Sequence, residues 1–158
     1  LSVSEVVSLW PALTGDASIA VGSPATSADT AGQQWFTDFM TQVESQKLRV
    51  DFVAVHWYGW NAGSCDAGAA EFEKYLNWVQ GKAGGRPLWI TEFGCLNASN
   101  PDEATVQAFY TGAVKMFARH SQVERYAWYP WITNNHLVAD DGALTALGTT
   151  FAQQASTR

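Results

Sequence analysis

Glu92 is the residue of this sequence that most needs a chemical reason. It lies near the end of Leu88-Trp89-Ile90-Thr91-Glu92-Phe93-Gly94, an apolar run that follows a Gly-Gly-Arg-Pro turn and closes on a glycine. Such a run reads as a buried strand, and a parallel strand covered on both faces is almost wholly apolar. An ionised carboxylate is costly there unless it is paired. Two readings stand side by side. One is a structural glutamate bonded to backbone or to Trp and Tyr donors. The other is a catalytic carboxylate at the C-terminal edge of a parallel sheet, where α/β active sites lie.

The ends of the other apolar runs supply partners for it. One ends in His56-Trp57-Tyr58-Gly59, another in Trp128-Tyr129-Pro130-Trp131, and a short early one leads into Ser23-Pro24. An acid, an imidazole, phenols and indoles would then share one rim. Aromatic rings stack on the apolar faces of sugars, and Tyr, His and Trp donors bond hydroxyls or a carboxylate. This equipment suits a neutral polyhydroxylated substrate. Other chemistries find less support. The three histidines share no metal-ligand spacing, so neither a metal nor a cofactor is called for. No Gly-x-Ser-x-Gly elbow and no Gly-rich phosphate loop occurs. His120 falls at a helix end and Asp51 at the opposite end of its strand from Glu92, both places for structural roles.

The elements that must position these residues follow from periodicity. Ser2-Val3-Ser4-Glu5 reads as a capping box before an apolar stripe of Val3, Val6, Val7 and Trp10. A short strand is expected over Ser18–Val21. Thr30-Ala31-Gly32-Gln33 reads as a second capping box, ahead of Trp35, Phe36, Phe39, Met40 and Val43 at helical spacing. Strands are expected over Val50–Tyr58, Leu88–Phe93 and Val123–Trp131. Between and after them lie helices carrying Phe72, Tyr75, Leu76 and Val79, then Val106, Phe109, Tyr110, Ala113 and Phe117, then Leu147 and Phe151. Pro101 is expected just inside the start of the second of these. One helix and then four strand–helix pairs predict an α/β fold with a parallel sheet.

Composition narrows the partners. The 158 residues are 47% apolar and 15% charged, with a net charge of −6 and eight tryptophans. That is enough chain for one domain with a real core. The acidic balance without a basic run argues against nucleic acid or an anionic membrane surface, and no apolar segment has the length of a membrane span. Spacing leaves Cys65 and Cys95 open between free buried thiols and a bridge. They follow adjacent strands, so a bridge would require Cα atoms within about 7 Å. Asn97-Ala98-Ser99 matches a glycosylation sequon.

The blocks Val50-Asp51-Phe52-Val53-Ala54-Val55-His56-Trp57-Tyr58-Gly59, Trp89-Ile90-Thr91-Glu92-Phe93-Gly94 and Arg125-Tyr126-Ala127-Trp128-Tyr129 resemble the catalytic core of glycoside hydrolase family 128. Leu9-Trp10-Pro11, Ser23-Pro24-Ala25 and Leu144-Thr145-Ala146-Leu147-Gly148 agree with it in order. The resemblance implies a (β/α)8 TIM barrel and retaining endo-acting hydrolysis of β-1,3-glucan. It carries the nucleophile to Glu92, sets His56 and Tyr58 beside it, and makes Trp57, Trp60, Trp128, Tyr129 and Trp131 candidate glucan-stacking rings. It also implies a secreted or cell-wall setting.

The sequence departs from the family at one point. Retaining hydrolysis uses a second carboxyl about 5–5.5 Å from the first, which in this family belongs to an Asn-Glu-Pro-type motif ending the fourth barrel strand. No such motif occurs here. A full barrel takes roughly 250 residues, so residues 1–158 read as one α/β segment, the C-terminal half of the barrel with about four strands and without the N-terminal half. Open edges would then invite self-association. A non-catalytic glucan-binding module, or a retaining glycosidase of similar barrel type acting on mannan or arabinan, remain alternatives.

Overall fold

The structure is a computed structural model that describes residues 1–59, 65–66, 68–96, 101–130 and 134–155. Trp60, Trp131 and the Asn97 sequon fall outside the described residues. Among the described residues five helices and three strands follow one another as α1 (Val3–Leu13), α2 (Thr30–Gln46), β1 (Val53–Tyr58), α3 (Ala70–Gln80), β2 (Leu88–Gly94), α4 (Glu103–Phe117), β3 (Val123–Trp128) and α5 (Ala146–Ala155). The strands form one parallel sheet in the order β1-β2-β3.

The expected strand at Ser18–Val21 does not form a ladder. Residues 17–20 are exposed, and the segment after them pairs alongside β1 through isolated bridges at Gly22–Phe52 and Thr26–Val55, with the Ala54 N–H donating to Ser23 Oγ. Pro24 lies between those bridges and has no N–H to give a ladder. Gly22 is required where it is, because a β-carbon there would collide with the Phe52 ring. Asp51 holds this edge. Its carboxylate accepts from the Val21 N–H at 2.7 Å and pairs with Arg49 at 2.8 Å.

Two helix starts differ from the sequence reading by one residue. Asp29, not Thr30, caps α2 by accepting from the Gly32 N–H, and Asp102 caps α4 by accepting from the Thr105 N–H. Pro101 therefore precedes the cap instead of opening the helix. A carboxylate at the cap satisfies an amide with no partner inside the helix, worth about 1 kcal/mol each. The Ser2–Glu5 capping box of α1 is present with both of its hydrogen bonds.

Register fixes what each strand shows to the helices. Val53, Leu88 and Val123 lie side by side, and Ile90 lies between Val55 and Tyr126. Trp57, Phe93 and Trp128 make a third row nearer the C-terminal rim. These rows pack against α3 and α4. Phe93, fully buried, meets Phe72 of α3, Phe109, Tyr110 and Phe117 of α4, and Trp128 of β3, with ring centroids 5.0–6.5 Å apart. The opposite face carries Ala54, Trp89 and Arg125 in one row. There the Trp89 ring stacks on Phe52 at 3.7 Å and lies under the Arg125 guanidinium at 4.3 Å.

Candidate active site

Strict alternation along β2 would place Glu92 with Leu88 and Ile90, on the side covered by helices. It does not end there. Val55 pairs with Ile90, but His56 pairs with Glu92, and on the other side Tyr126 to Trp128 spans Ile90 to Phe93. One extra residue is thus inserted at Thr91-Glu92, a bulge that re-aims the side chain after it. Phe93 returns to the helix side, and Glu92 joins the face of His56 and Tyr58.

There the Tyr58 hydroxyl donates to Glu92 Oε2, and His56 Nδ1 lies 3.7 Å from the same oxygen. Glu92 remains 39% exposed and His56 29% exposed by side chain, so both can reach a ligand from solvent. Burial, and then the hydrogen bond and charge of Glu92, push the Tyr58 phenol well above its ordinary value of 10.0. It therefore stays protonated and is the donor to Glu92. The Tyr129 ring stands edge-on to Tyr58 at 5.4 Å. Gly94, the register partner of Tyr58, lies between them: a β-carbon there would sit 3.4 Å from the Tyr129 carbonyl and 3.8 Å from Tyr58 Cδ1.

Two of the five candidate stacking rings are withdrawn by the structure. Trp57 is 5% exposed and lies stacked against Phe72 at 4.7 Å and Phe109 at 5.4 Å. His56 and Tyr58 face the rim, so Trp57 between them must face the core. Trp128 is 7% exposed, edge-on to Phe93 and Tyr110, with its indole N–H on the Asn135 carbonyl. Tyr129 stays half-buried beside Tyr58, while Trp60 and Trp131 are not described.

The loops above the rim are tied together. Cys65 and Cys95 form a disulfide with Cα atoms 5.9 Å apart, joining the exits of β1 and β2. Asn135, which sequence reasoning did not single out, joins β2 to β3. It is 0% exposed, its amide donates to the Cys95 carbonyl at 3.0 Å and accepts from the Cys95 N–H at 3.5 Å. An asparagine in a polar loop carries no pattern that would reveal this role. Other acids have structural partners: Glu73 binds Arg119 and His120, and Glu124 accepts from the Trp89 indole. Among the described residues no group of three or more His, Cys, Asp or Glu could hold a metal, and no helix is long and apolar enough to cross a membrane.

A sequence model of the glycosyl hydrolase catalytic core matches residues 1–151. Alkali-sensitive linkage protein 1 of Schizosaccharomyces pombe is 31% identical over 140 residues, which are 81% of this chain and 24% of that protein. A family 128, subgroup I endo-β-1,3-glucanase of Amycolatopsis mediterranei, solved with laminaritriose, is similar at TM-score 0.80 and 27% identity. The match covers 98% of this chain and 66% of that one. A family 128, subgroup VI exo-β-1,3-glucanase of Aureobasidium namibiae has TM-score 0.79 at 20% identity, covering 96% and 61%, and speaks for the fold alone.

Fold and matches together define an α/β glycoside hydrolase core. The chain belongs to the glycosyl hydrolase catalytic core family, with family 128 β-1,3-glucanases among its structural neighbours. It spans about a quarter of the curated relative's length and less than two thirds of these solved chains.

Proposed function

We propose that this chain supplies the nucleophile side of a retaining β-1,3-glucan hydrolase, with Glu92 attacking the anomeric carbon. The observation that carries this reading is the bulge in β2, which turns Glu92 onto the hydroxyl of Tyr58 and toward His56 at a parallel-sheet rim. Tyr58 holds the carboxylate in one orientation and disperses its charge until attack. His56 stands where it can bond the same oxygen or a sugar hydroxyl. Tyr129 is the described ring best placed to contact the glucan.

Retaining hydrolysis also needs an acid that protonates the leaving oxygen and later activates water. In this reading that carboxyl belongs to a further segment of the longer protein, and the three strands with the bridged edge segment are part of a (β/α)8 barrel. Helices cover one sheet face while Arg125 and Ala127 stay exposed on β3, which fits a surface that the remaining strands would close over. In isolation the same open surface favours self-association. The Cys65–Cys95 bridge fits an oxidising compartment and hence a secreted or cell-wall setting.

The test is hydrolysis of laminarin by the full-length protein, followed by NMR of the newly released anomer. Release of β-configured ends, and loss of about a thousandfold or more in kcat for Glu92→Gln with an unchanged melting temperature, is the expected result. Hydrolysis that survives Glu92→Gln would refute the assignment. Cleavage of mannan in preference to laminarin would redirect the substrate.

A further inference from the structure

A cavity of about 440 Å³ opens beside Tyr58, between the starts of α2 and α3. That volume falls within the roughly 300–1,000 Å³ usual for small-ligand sites. Asp29 and Gln33 of the α2 start form one wall, Lys74, Tyr75 and Trp78 of α3 the other, and Tyr58 closes the side toward β1. Trp78 is half-buried and braced from behind, with Tyr75 stacked on it at 6.0 Å and Phe36 tilted against it at 5.9 Å.

The chemistry of the lining is specific in kind. The Trp78 indole, with the Lys82 ammonium 5.5 Å over its ring, offers only the apolar surface that Tyr75, Phe36 and Lys82 leave open. Glu71 and the Gln33 Oε1 offer acceptors and Lys74 a donor, while Asp29 Oδ1 already accepts from the Gly32 N–H and the Gln33 amide already donates to the Ala28 carbonyl. Burial pushes the Tyr75 phenol up to about 12, so it stays a neutral hydroxyl at physiological pH. The Asp29 and Glu71 carboxylates on the lining oppose a phosphate or another anion, and the polar rim wastes an apolar ligand. A neutral polyol with one apolar face satisfies both halves of the site.

We infer that this cavity is an accessory saccharide site that takes a hexosyl unit of the glucan chain, outside the units held at Glu92. The inference rests on the glucanase reading above for the identity of the glycan. Tyr58 borders both places: its hydroxyl is engaged by Glu92, and with Trp57 and Gly59 at the end of β1 it borders the cavity. A chain that fills both would need more units than a trisaccharide supplies, so the site would act on long glucan only.

The experiment compares the full-length protein with its Trp78→Ala and Lys74→Ala variants on laminaritriose, on long-chain laminarin, and in co-sedimentation with insoluble β-1,3-glucan. Lys74 is exposed, so its variant keeps the test alive if Trp78→Ala fails to fold. Expected are an unchanged kcat/KM on laminaritriose, a rise of about tenfold in the laminarin KM for Trp78→Ala, a smaller rise for Lys74→Ala, and matching losses of retention on the solid. Parental KM and retention in folded variants would overturn the site while leaving the glucanase reading intact. If the parent cleaves neither substrate, the glucanase reading fails, and co-sedimentation alone decides the site: retention lost in the variants upholds it, and retention equal to the parent, or none in either, overturns it.

Discussion

His56 stands opposite Glu92 across the β1–β2 pairing, because β2 carries one residue more than β1 between Ile90 and that point. The Tyr58 hydroxyl then reaches the same carboxylate oxygen that His56 approaches at 3.7 Å. The relationship between these side chains is a property of the bulge, and it sets what each substitution should do.

Tyr58→Phe removes the donor and keeps the ring. A hydrogen bond to a charged group is worth about 1.5–3 kcal/mol, so kcat on laminarin in the full-length protein should fall by about 10- to 150-fold. The Tyr58–Tyr129 ring contact survives this change, so the melting temperature should move little. An unchanged kcat would show that Glu92 does not depend on Tyr58.

Trp57 and Tyr129 should behave in opposite ways. Trp57→Ala empties space between Phe72 and Phe109 and should cost about 3–5 kcal/mol by denaturant unfolding. Tyr129→Ala, at a half-buried rim position, should cost far less stability and should weaken laminari-oligosaccharide binding measured by calorimetry. A stable Trp57→Ala protein with weakened sugar binding would reverse the placement of that ring.

Asn135→Ala leaves both backbone groups of Cys95 without their side-chain partner in a site closed to water. A buried polar group left unsatisfied costs about 1–3 kcal/mol, and the unfolding free energy should drop by at least that much. A loss below about 0.5 kcal/mol would mean that the loop re-pairs Cys95 on its own.

Reduction of the Cys65–Cys95 bridge frees a loop with a sequence separation of 30. In the chain-entropy description this closure is worth about 3.5 kcal/mol. Melting with and without a reductant should differ by about 10 °C. Equal melting temperatures would indicate that the bridge constrains little in the unfolded chain.

Acid should destabilise the fold through its caps and its edge clamp. The Gly32 N–H holds the Asp29 carboxyl below its ordinary 3.8, the Arg49 guanidinium does the same for Asp51, and the Thr105 N–H for Asp102. Arg119, with His120, lowers Glu73 from 4.5. Groups lowered in the folded state contribute stability above their unfolded values and lose it as pH falls through the folded ones. Unfolding free energy should therefore be level above about pH 5 and decline below about pH 4. A profile flat down to pH 2 would contradict these contacts.

Much of this molecule was legible from local pattern. The stripes of α1 to α4, three of four strands, and His56 and Tyr58 on one face at the end of β1 follow from spacings of 3.6 and 2 and from turn chemistry, which neighbouring residues settle among themselves, whereas alternation alone puts Glu92 on the helix side. Alternation through His56-Trp57-Tyr58 already separates the faces, and aromatic type together with the family resemblance made Trp57 look like a sugar platform. What tertiary structure decided is of another kind. The bulge at Thr91-Glu92 exists only against the pairing of β2 with strands on both sides. The early edge segment stays unladdered through the isolated meeting of Gly22 with Phe52 and Thr26 with Val55, and the disulfide and Asn135 join residues 30 and 40 positions apart. Sequence periodicity carries information about a residue's own neighbours, whereas register and long-range pairing are set by free energies shared between segments that meet only once the chain has folded.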